Sequence, residues 1–407
     1  VLLVEIQAND QEKIDQQEVA VRKAVESTPN IQPFKFTSDP KEYAFNWKAR
    51  KGILSSVGGL RKTGTTCLIE DVAFPVPRLA EACVALKALF KELEYHDAVL
   101  FGHALDGNLH LNFSQDFSTK EEVERYSKLM DGISDIVVNQ FDGSLKAEHG
   151  TGRNMAPYVE KEWGEAAYKI MLRIKNIFDP NKLINPGVII NENPRIHLEN
   201  LKPSPPAHEL VDKCMECGFC EPNCVAEGLT LSPRHRIVIL REISRLKALG
   251  EDTKRLEQMV HDSKYFLNET CATDGLCGLA CPVKIDTGKL VKDIRHTEAT
   301  ETWKKRAAYI GDHMADVTSA GRSTLNLVNL FQSILGDSLM GGIASGMRSI
   351  SGDRIPKWNK YMPKGAHRIN YQVVNEGQEN KVVYFPSCIN RTMGKSKDYA
   401  KDEVELT

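Results

Sequence analysis

The chain has 407 residues, a length that predicts two or three domains at roughly 150 residues each. Hydrophobic residues make up 41% and charged residues 27%, which excludes a disordered chain, a collagen and a small disulfide-stapled protein. The 53 lysines and arginines nearly balance the 55 aspartates and glutamates, so the net charge of −2 does not indicate a nucleic-acid partner.

Hydrophobic periodicity predicts alternating strands and helices over the first 195 residues. A β-rich run at 2–7 reads as a strand that begins abruptly, without the pattern of a signal peptide, as in a piece of a longer protein. The predicted helices lie at 11–25, 41–55, 79–93, 119–141 and 163–178. The predicted strands lie at 66–76, 99–105 and 109–113.

The dipeptide Asp106-Gly107 separates the last two of these strands and predicts a two-residue hairpin turn. Two strands joined in that way are antiparallel. We therefore expect the fold class α+β, with an antiparallel sheet packed against helices, and not a doubly wound parallel sheet.

The second half of the chain reads as helical. Four prolines at 194–206 predict a domain boundary, and helices are expected at 234–248, 253–266 and 287–314. The apolar stretch 323–347 is interrupted by polar side chains, so it predicts a packed helix and not a membrane span. A last strand is expected at 381–385.

Seven of the ten cysteines fall in two runs, which indicates metal ligation in a reducing compartment and not disulfides. The runs are Cys214-x2-Cys217-x2-Cys220-x3-Cys224 and Cys271-x2-Asp274-x2-Cys277-x3-Cys281-Pro282. This spacing is typical of ferredoxins with two iron–sulfur clusters, in which the fourth cysteine of a run binds the other cluster. Structural zinc, which also uses Cys-x2-Cys pairs, is the alternative.

On that pattern each cluster takes its ligands from both runs. The expected ligands of cluster one are Cys214, Cys217, Cys220 and Cys281. Those of cluster two are Cys271, Cys277 and Cys224, with Asp274 in the place of a fourth thiolate. Asp274 either supplies an oxygen ligand, leaves one iron open so that four-iron and three-iron forms interconvert, or faces solvent.

The predicted hairpin carries a second candidate metal site. With a two-residue turn, His103 stands directly opposite His110, with Cβ atoms roughly 5 Å apart, and Asn112 lies further along the same face. Two imidazoles at that separation suit one divalent ion such as zinc. The alternative is a histidine pair packed in the core.

The glycine-rich segment 147–153 is the expected source of a third ligand. Glu148 would complete a two-histidine, one-carboxylate site with an open position, which is the arrangement of a catalytic site. His149 beside it would act as a base, because the ordinary pKa of histidine lies near working pH.

At these residues the sequence resembles the flavin-dependent D-2-hydroxy-acid dehydrogenases of the vanillyl-alcohol-oxidase-type superfamily, in the bacterial form fused to an iron–sulfur module. The resemblance rests on the motifs at 102–110, 147–152, 185–187 and 384–388 and on both cysteine runs. It implies that FAD is bound mainly by an N-terminal domain absent from this sequence. The chain is then a C-terminal portion that is inactive alone.

The resemblance also implies roles for individual residues. The metal ligands would be His103, His110 and Glu148, and the proton-abstracting base would be His149. Asn112 would contact the substrate, and Arg50, which alone reads as a surface charge, would bind the substrate carboxylate. Asn185 and Gly187 would lie near the flavin.

The domain limits expected from the resemblance follow the composition of the chain. A cap domain at 1–195 precedes an α-helical dicluster domain at 207–300. A helical linker region at 301–380 and the start of a cysteine-rich domain at 381–407 follow.

The expected function is oxidation of a D-2-hydroxy acid, D-lactate to pyruvate in the first place, with electrons leaving through the clusters to a quinone, cytochrome or other carrier. D-lactate is favoured because the residues before Asp71 lack the basic residue of relatives that act on D-2-hydroxyglutarate, unless Arg61 or Lys62 replaces it. The alternatives are a D-2-hydroxyglutarate or glycolate dehydrogenase, an electron-transfer subunit without a substrate site, and a zinc-stabilised scaffold. The expected localisation is cytoplasmic or peripheral on the inner face of the membrane, and the oligomeric state is left open.

Overall fold

A computed structural model describes residues 2–26, 28, 34–250, 252–367 and 386–396, which form two compact units divided between Arg295 and His296. The strand predicted at 381–385 lies outside the described residues. The helices and strands of the first half are α1 (Gln11–Val25), α2 (Pro40–Lys51), α3 (Ile53–Leu60), β1 (Thr66–Ala73), α4 (Leu79–Glu92), β2 (Val99–His103), β3 (Asn108–Gln115), α5 (Lys120–Ser134) and α6 (Val159–Phe178).

Side-chain caps explain where several of these helices begin. Asp10 accepts a hydrogen bond from the backbone N–H of Lys13, and Thr119 accepts one from that of Glu122. Asp39 caps α2, whose first residue is proline. The helix predicted at 41–55 is divided at Gly52, which ends α2 and begins α3.

The three strands form an antiparallel sheet in the order β1-β3-β2, which confirms the α+β class. Strand β3 is central, so both of its edges are hydrogen-bonded and its two faces differ in character. Leu109, Leu111 and Phe113 pack with residues of α4 and α5 in the main hydrophobic core. Asn108, His110 and Asn112 alternate with them and share the opposite face.

The predicted strand at 2–7 is wrong. The structure has no regular element there, and Leu2 is 68% exposed. The reason is that no strand among the described residues pairs with it, and a lone strand leaves its backbone groups unpaired.

The turn between β2 and β3 also differs from the prediction. Instead of a two-residue turn, a short 3₁₀ helix at Ala104–Asp106 leads into Gly107, which alone has a left-handed backbone (φ +66°). A Cβ atom at Gly107 would lie 1.9 Å from the carbonyl oxygen of Phe74, so glycine is required there. The longer turn shifts the register, and His103 pairs with Asn108 while His110 pairs with Phe101.

The region after the prolines contains no strand among its described residues up to 351, as predicted. Its helices are α7 (Pro233–Leu249), α8 (Thr253–Ser263), α9 (Leu276–Ala280) and α10 (Thr287–Glu298). Ile237, Ile285, Leu290 and Val211 form a second, smaller core beneath the two cysteine runs.

The second unit contains α11 (Glu301–Asp312), α12 (Met314–Ile350) and α13 (Cys388–Thr392). By length and composition α12 is able to cross a membrane, yet only 6% of its most apolar window is buried in the structure. The predicted helix is therefore present, but within the described part of the chain its most apolar window is largely unburied.

Candidate metal centre and iron–sulfur sites

The two hairpin histidines lie on one face of the sheet, although not directly opposite each other. Because His103 pairs with Asn108, it is offset by two residues from His110. The ring centroids are 5.7 Å apart, and the planes are nearly perpendicular at 88°. The register prediction of direct opposition is wrong, but the imidazoles still meet diagonally across the strands.

Glu148 lies between these two rings. One of its carboxylate oxygens, Oε1, is 3.1 Å from Nε2 of His110 and 3.6 Å from Nε2 of His103. The three side chains thus come from two strands and a loop and bring two imidazole nitrogens and one oxygen to a common point. His110 is buried, whereas the side chains of His103 and Glu148 are each 52% exposed, so the point is open on one side.

The carboxylate of Asp71 on β1 contacts both His110 and the loop that carries Glu148. No sequence motif indicated a role for Asp71 at this site. Its Oδ1 is 3.3 Å from Nδ1 of His110, and its Oδ2 accepts hydrogen bonds from the backbone N–H groups of Glu148 (2.6 Å) and His149 (2.8 Å). Asn108 donates a further bond of 2.6 Å to Oδ1. The available signal was a pair of carboxylates, Glu70 and Asp71, in a predicted strand, since buried carboxylates need several partners.

The pKa values of Asp71 and His110 follow from this arrangement. Burial raises the pKa of Asp71, but the bonds from His149, Glu148 and Asn108 outweigh it and hold the pKa below its ordinary value. Burial lowers the pKa of His110, and the opposing charge of Asp71 does not restore it. His110 is therefore neutral at neutral pH, the form in which an imidazole binds a metal.

His149 stands next to this group but in a different orientation. Its ring is stacked on that of His110, with centroids 4.9 Å apart and planes at 4°. One ligand-type atom each of Asp71, His110, Glu148 and His149 lies within 4.8 Å of the others. Geometry alone thus allows His149 either as a ligand in place of His103 or as a base beside the ligands.

Arg50 lies at the rim of the same face and is not a free surface charge. Its Nη2 donates to the carbonyl of Gly102 (3.2 Å), and its guanidinium lies 5.2 Å from the ring centroid of Phe101. The Phe101 ring is in turn 5.3 Å from that of His110. Packing thus brings α2, which is 52 residues away in sequence, to the hairpin.

Asn112 is buried on the same face, two residues beyond His110. Its Oδ1 accepts a contact of 3.5 Å from the thiol of Cys67, while its Nδ2 has no hydrogen-bond partner among the described residues. A buried amide donor without a partner is costly, so the site has a donor available for a ligand oxygen.

The segment Asn185-Pro186-Gly187 folds against the end of the loop that carries Glu148. Arg153 donates to the carbonyl of Pro186 (3.4 Å), and the N–H of Ile189 donates to the carbonyl of Gly152 (3.2 Å). Asn185 and Gly187 both adopt a left-handed backbone, with φ of +43° and +77°. The segment is thus a tight turn placed beside the candidate metal centre.

The four cysteines expected for cluster one line a single cavity, together with Met215, Pro282 and Val283: Cys214, Cys217, Cys220 and Cys281. Burial raises the pKa of Cys214, and burial together with the neighbouring thiol groups raises that of Cys220 to about 12. Once deprotonated, four sulfur atoms around one cavity repel one another, so they require a positively charged metal centre between them. The donor set therefore fits an iron–sulfur cluster.

The groups expected for cluster two are arranged around α9 and the chain before it. Asp274 Oδ1 accepts the N–H of Leu276 (3.1 Å), in a loop that turns at Gly275 with φ +77°. The thiol of Cys277 is buried beside Thr287 (3.4 Å), and Cys224 accepts a contact of 3.7 Å from Arg236. Asp274 thus caps its own loop, and this hydrogen bond leaves its other carboxylate oxygen for an iron.

Comparisons with known proteins match both parts of the chain. Residues 1–189 match the family described as FAD linked oxidases, C-terminal domain, and residues 210–285 match the 4Fe-4S dicluster domain. The first part of the chain is therefore similar to the C-terminal domain of FAD-linked oxidases, and the part that carries the two cysteine runs is similar to 4Fe-4S dicluster domains.

Relatives with several activities resemble the chain. It is 31% identical to a mitochondrial D-lactate dehydrogenase [cytochrome] of Arabidopsis thaliana over 44% of this chain and 31% of that protein. It is 30% identical to the glycolate oxidase subunit GlcD of Bacillus subtilis over 39% of this chain and 33% of that protein. A D-2-hydroxyglutarate dehydrogenase of Haemophilus influenzae is 26% identical over 70% of this chain and 33% of its own length. The chain spans about a third of the length of these relatives.

Proposed function

We propose that the chain is the cap and electron-exit portion of a FAD-dependent D-2-hydroxy-acid dehydrogenase, and that His103, His110 and Glu148 bind one divalent ion, zinc in the first place. The observation that carries the proposal is the approach of one Glu148 oxygen to Nε2 of both imidazoles, at 3.1 and 3.6 Å. Two imidazoles and a carboxylate on an open face form a site that can also take a substrate oxygen.

In this proposal the bound FAD supplies the hydride acceptor, and the divalent ion supplies positive charge near the substrate hydroxyl. The guanidinium of Arg50 binds the substrate carboxylate in a bidentate, charge-assisted contact. The unpartnered Nδ2 of Asn112 donates to a substrate oxygen. A ring nitrogen of His149 accepts the hydroxyl proton.

Two iron–sulfur clusters, when bound, would supply a one-electron path from the reduced flavin to a quinone, a cytochrome or another carrier. Cluster one is assigned to Cys214, Cys217, Cys220 and Cys281, and cluster two to Cys271, Cys277, Cys224 and Asp274. Asn185 and Gly187 are assigned to the flavin side of the cap. The domain division at 1–195, 207–300, 301–380 and 381–407 is part of the same proposal.

D-lactate is the proposed substrate because two cations that could bind a second carboxylate, Arg61 and Lys146, are engaged in other contacts. Arg61, one of the two replacements considered from the sequence, points its guanidinium at backbone carbonyls, among them those of Thr65 (2.9 Å) and Cys214 (2.7 Å). Lys62, the other, is exposed. Lys146 is paired with the buried Glu70 at 2.7 Å. Neither Arg61 nor Lys146 is free to bind a distal carboxylate.

The test compares D-lactate, glycolate and D-2-hydroxyglutarate with the FAD-loaded, full-length protein and an artificial acceptor. We expect kcat/KM for D-lactate to exceed that for D-2-hydroxyglutarate by at least about tenfold, since an unpaired second carboxylate costs more than about 1.4 kcal/mol to desolvate. A reversed order would contradict the substrate. Absence of flavin reduction by all three acids would instead favour an electron-transfer subunit without a substrate site.

Replacing Asp71 with asparagine is expected to weaken zinc binding by about 10- to 100-fold, because the group that orients His110 and ties down the Glu148 loop loses one acceptor. The measurement is competition with a chromophoric chelator. Asp116→Asn is the matched control, since it makes the same change at a carboxylate that also accepts a backbone N–H, that of Ser118, but lies away from the hairpin. Equal zinc affinities of Asp71→Asn and the wild type would contradict this role of Asp71.

A further inference from the structure

The guanidinium of Arg61 joins the cap domain to the loop of cluster one. On the cap side it donates to the carbonyls of Gly58 (2.7 Å) and Thr65 (2.9 Å). On the other side it donates to three consecutive carbonyls, those of Asp212 (3.1 Å), Lys213 (3.0 Å) and Cys214 (2.7 Å). All five bonds end on neutral carbonyl groups, which satisfies the five N–H donors of an arginine without neutralising its charge.

Arg241 beside it provides a contrast. It donates to the same carbonyls of Asp212 and Cys214, but its Nη1 also forms an ion pair of 2.6 Å with Glu216. Arg61 has no such ion pair with a described carboxylate. Burial and the neighbouring charge of Arg241 accordingly lower the pKa of Arg61. Its positive charge therefore has no direct ion pair next to a cysteine assigned to cluster one, and Glu216, which is paired with Arg241 and Lys202, acts on it only at longer range.

Cluster two has a corresponding residue. Arg236 is 1% exposed, donates to the carbonyls of Leu267 (3.1 Å) and Thr270 (3.4 Å), and contacts the sulfur of Cys224 at 3.7 Å. It too has no ion pair with a described carboxylate. Arg295 donates to the carbonyl of Cys271 but is exposed, so solvent screens its charge.

We propose that Arg61 and Arg236 are positioning residues that each set the reduction potential of one cluster, Arg61 that of cluster one and Arg236 that of cluster two. Reduction adds one electron, and hence one negative charge, to a cluster that is already anionic. A nearby cation that is at least partly buried and has no direct ion pair stabilises the reduced form more than the oxidised form, and so raises the potential. The inference rests on the proposed cluster ligands but not on the proposed substrate or divalent ion.

The test is a redox titration followed by EPR on the protein with both clusters assembled, for Arg61→Gln, Arg61→Lys, Arg236→Gln and Arg236→Lys. The signal of cluster one is identified by its change in Cys217→Ser. We expect Arg61→Gln to shift the reduction equilibrium of cluster one about tenfold toward the oxidised form, which is 59 mV for a one-electron couple, and cluster two to shift less. Arg236→Gln should shift cluster two by the same amount toward the oxidised form and cluster one less. Each lysine variant, which keeps the positive charge, should shift its cluster by no more than half as much as the glutamine variant.

Two results would overturn the inference while leaving the clusters assigned. One is an equal shift in the lysine and glutamine variants, which would mean that hydrogen bonding alone matters. The other is a lack of any difference between the two clusters, whether both potentials shift by the same amount or neither shifts. If a glutamine variant fails to assemble its cluster, the lysine variant serves as the test. A lysine variant whose reduction equilibrium shifts by no more than half of the tenfold change supports the role of the positive charge, and one that shifts by the full amount refutes it. A wild-type protein without iron–sulfur signals would instead refute the cluster ligands themselves.

Discussion

Replacing Glu148 with glutamine is expected to lower the affinity for the divalent ion by more than about 100-fold and to remove most turnover in the full-length enzyme. Loss of a metal ligand should lower the metal affinity by more than the 10- to 100-fold that is typical when a residue hydrogen-bonded to a ligand is replaced. The Glu148 oxygen lies 3.1 and 3.6 Å from the two imidazole nitrogens, so it supplies the carboxylate ligand at the point where both rings converge. An amide keeps the shape but loses the negative charge that offsets the cation.

The measurement is zinc affinity by chelator competition, followed by kcat with D-lactate after the protein is loaded with excess zinc. Glu160→Gln, at an exposed position in the first turn of α6, is the control and should behave as the wild type. A Glu148→Gln protein that binds zinc normally would show that the carboxylate is not a ligand. Full activity after exhaustive removal of metal by a chelator would contradict the need for the ion itself.

Replacing His149 with glutamine is expected to lower kcat by about 10²- to 10⁴-fold while the zinc affinity stays within a few fold. The imidazole is stacked on His110, whereas its backbone N–H, which bonds to Asp71, is retained in the variant. The loop and the ligands should therefore remain in place while the proton acceptor is lost. The rate of flavin reduction by D-lactate, measured by stopped flow, reports this step.

The same variant separates the two roles that geometry allows for His149. If His149→Gln loses zinc affinity and His103→Gln keeps it, then His149 is the ligand and His103 is not. His96→Gln, at an exposed position before β2, controls for the loss of an imidazole in general. Normal flavin reduction in His149→Gln would contradict its role as the base.

Local patterns in the sequence were sufficient for the features whose partners lie within a few turns of one another. The spacing of Cys214, Cys217 and Cys220 predicted the shared cavity, because residues three apart in a tight loop necessarily lie close together. The helices of the core appeared where the periodicity placed them, since capping and amphipathicity act over one helix. Glu148 is an exception: it was predicted from its glycine-rich context and lies beside both histidines, although both are far from it in sequence.

Contacts between segments far apart in sequence depended on the tertiary structure, because sequence spacing carries no information about which face of one element meets another. Asp71, 39 residues before His110 along the chain, contacts that histidine and accepts hydrogen bonds from the loop of Glu148 only once β1 pairs with β3. The close approach of Gly107 to the carbonyl of Phe74 selected the longer turn and offset the two histidines. Arg61 was considered from the sequence only as a possible substrate-binding cation, and only the packing of α3 against the cluster-one loop brings its charge next to Cys214.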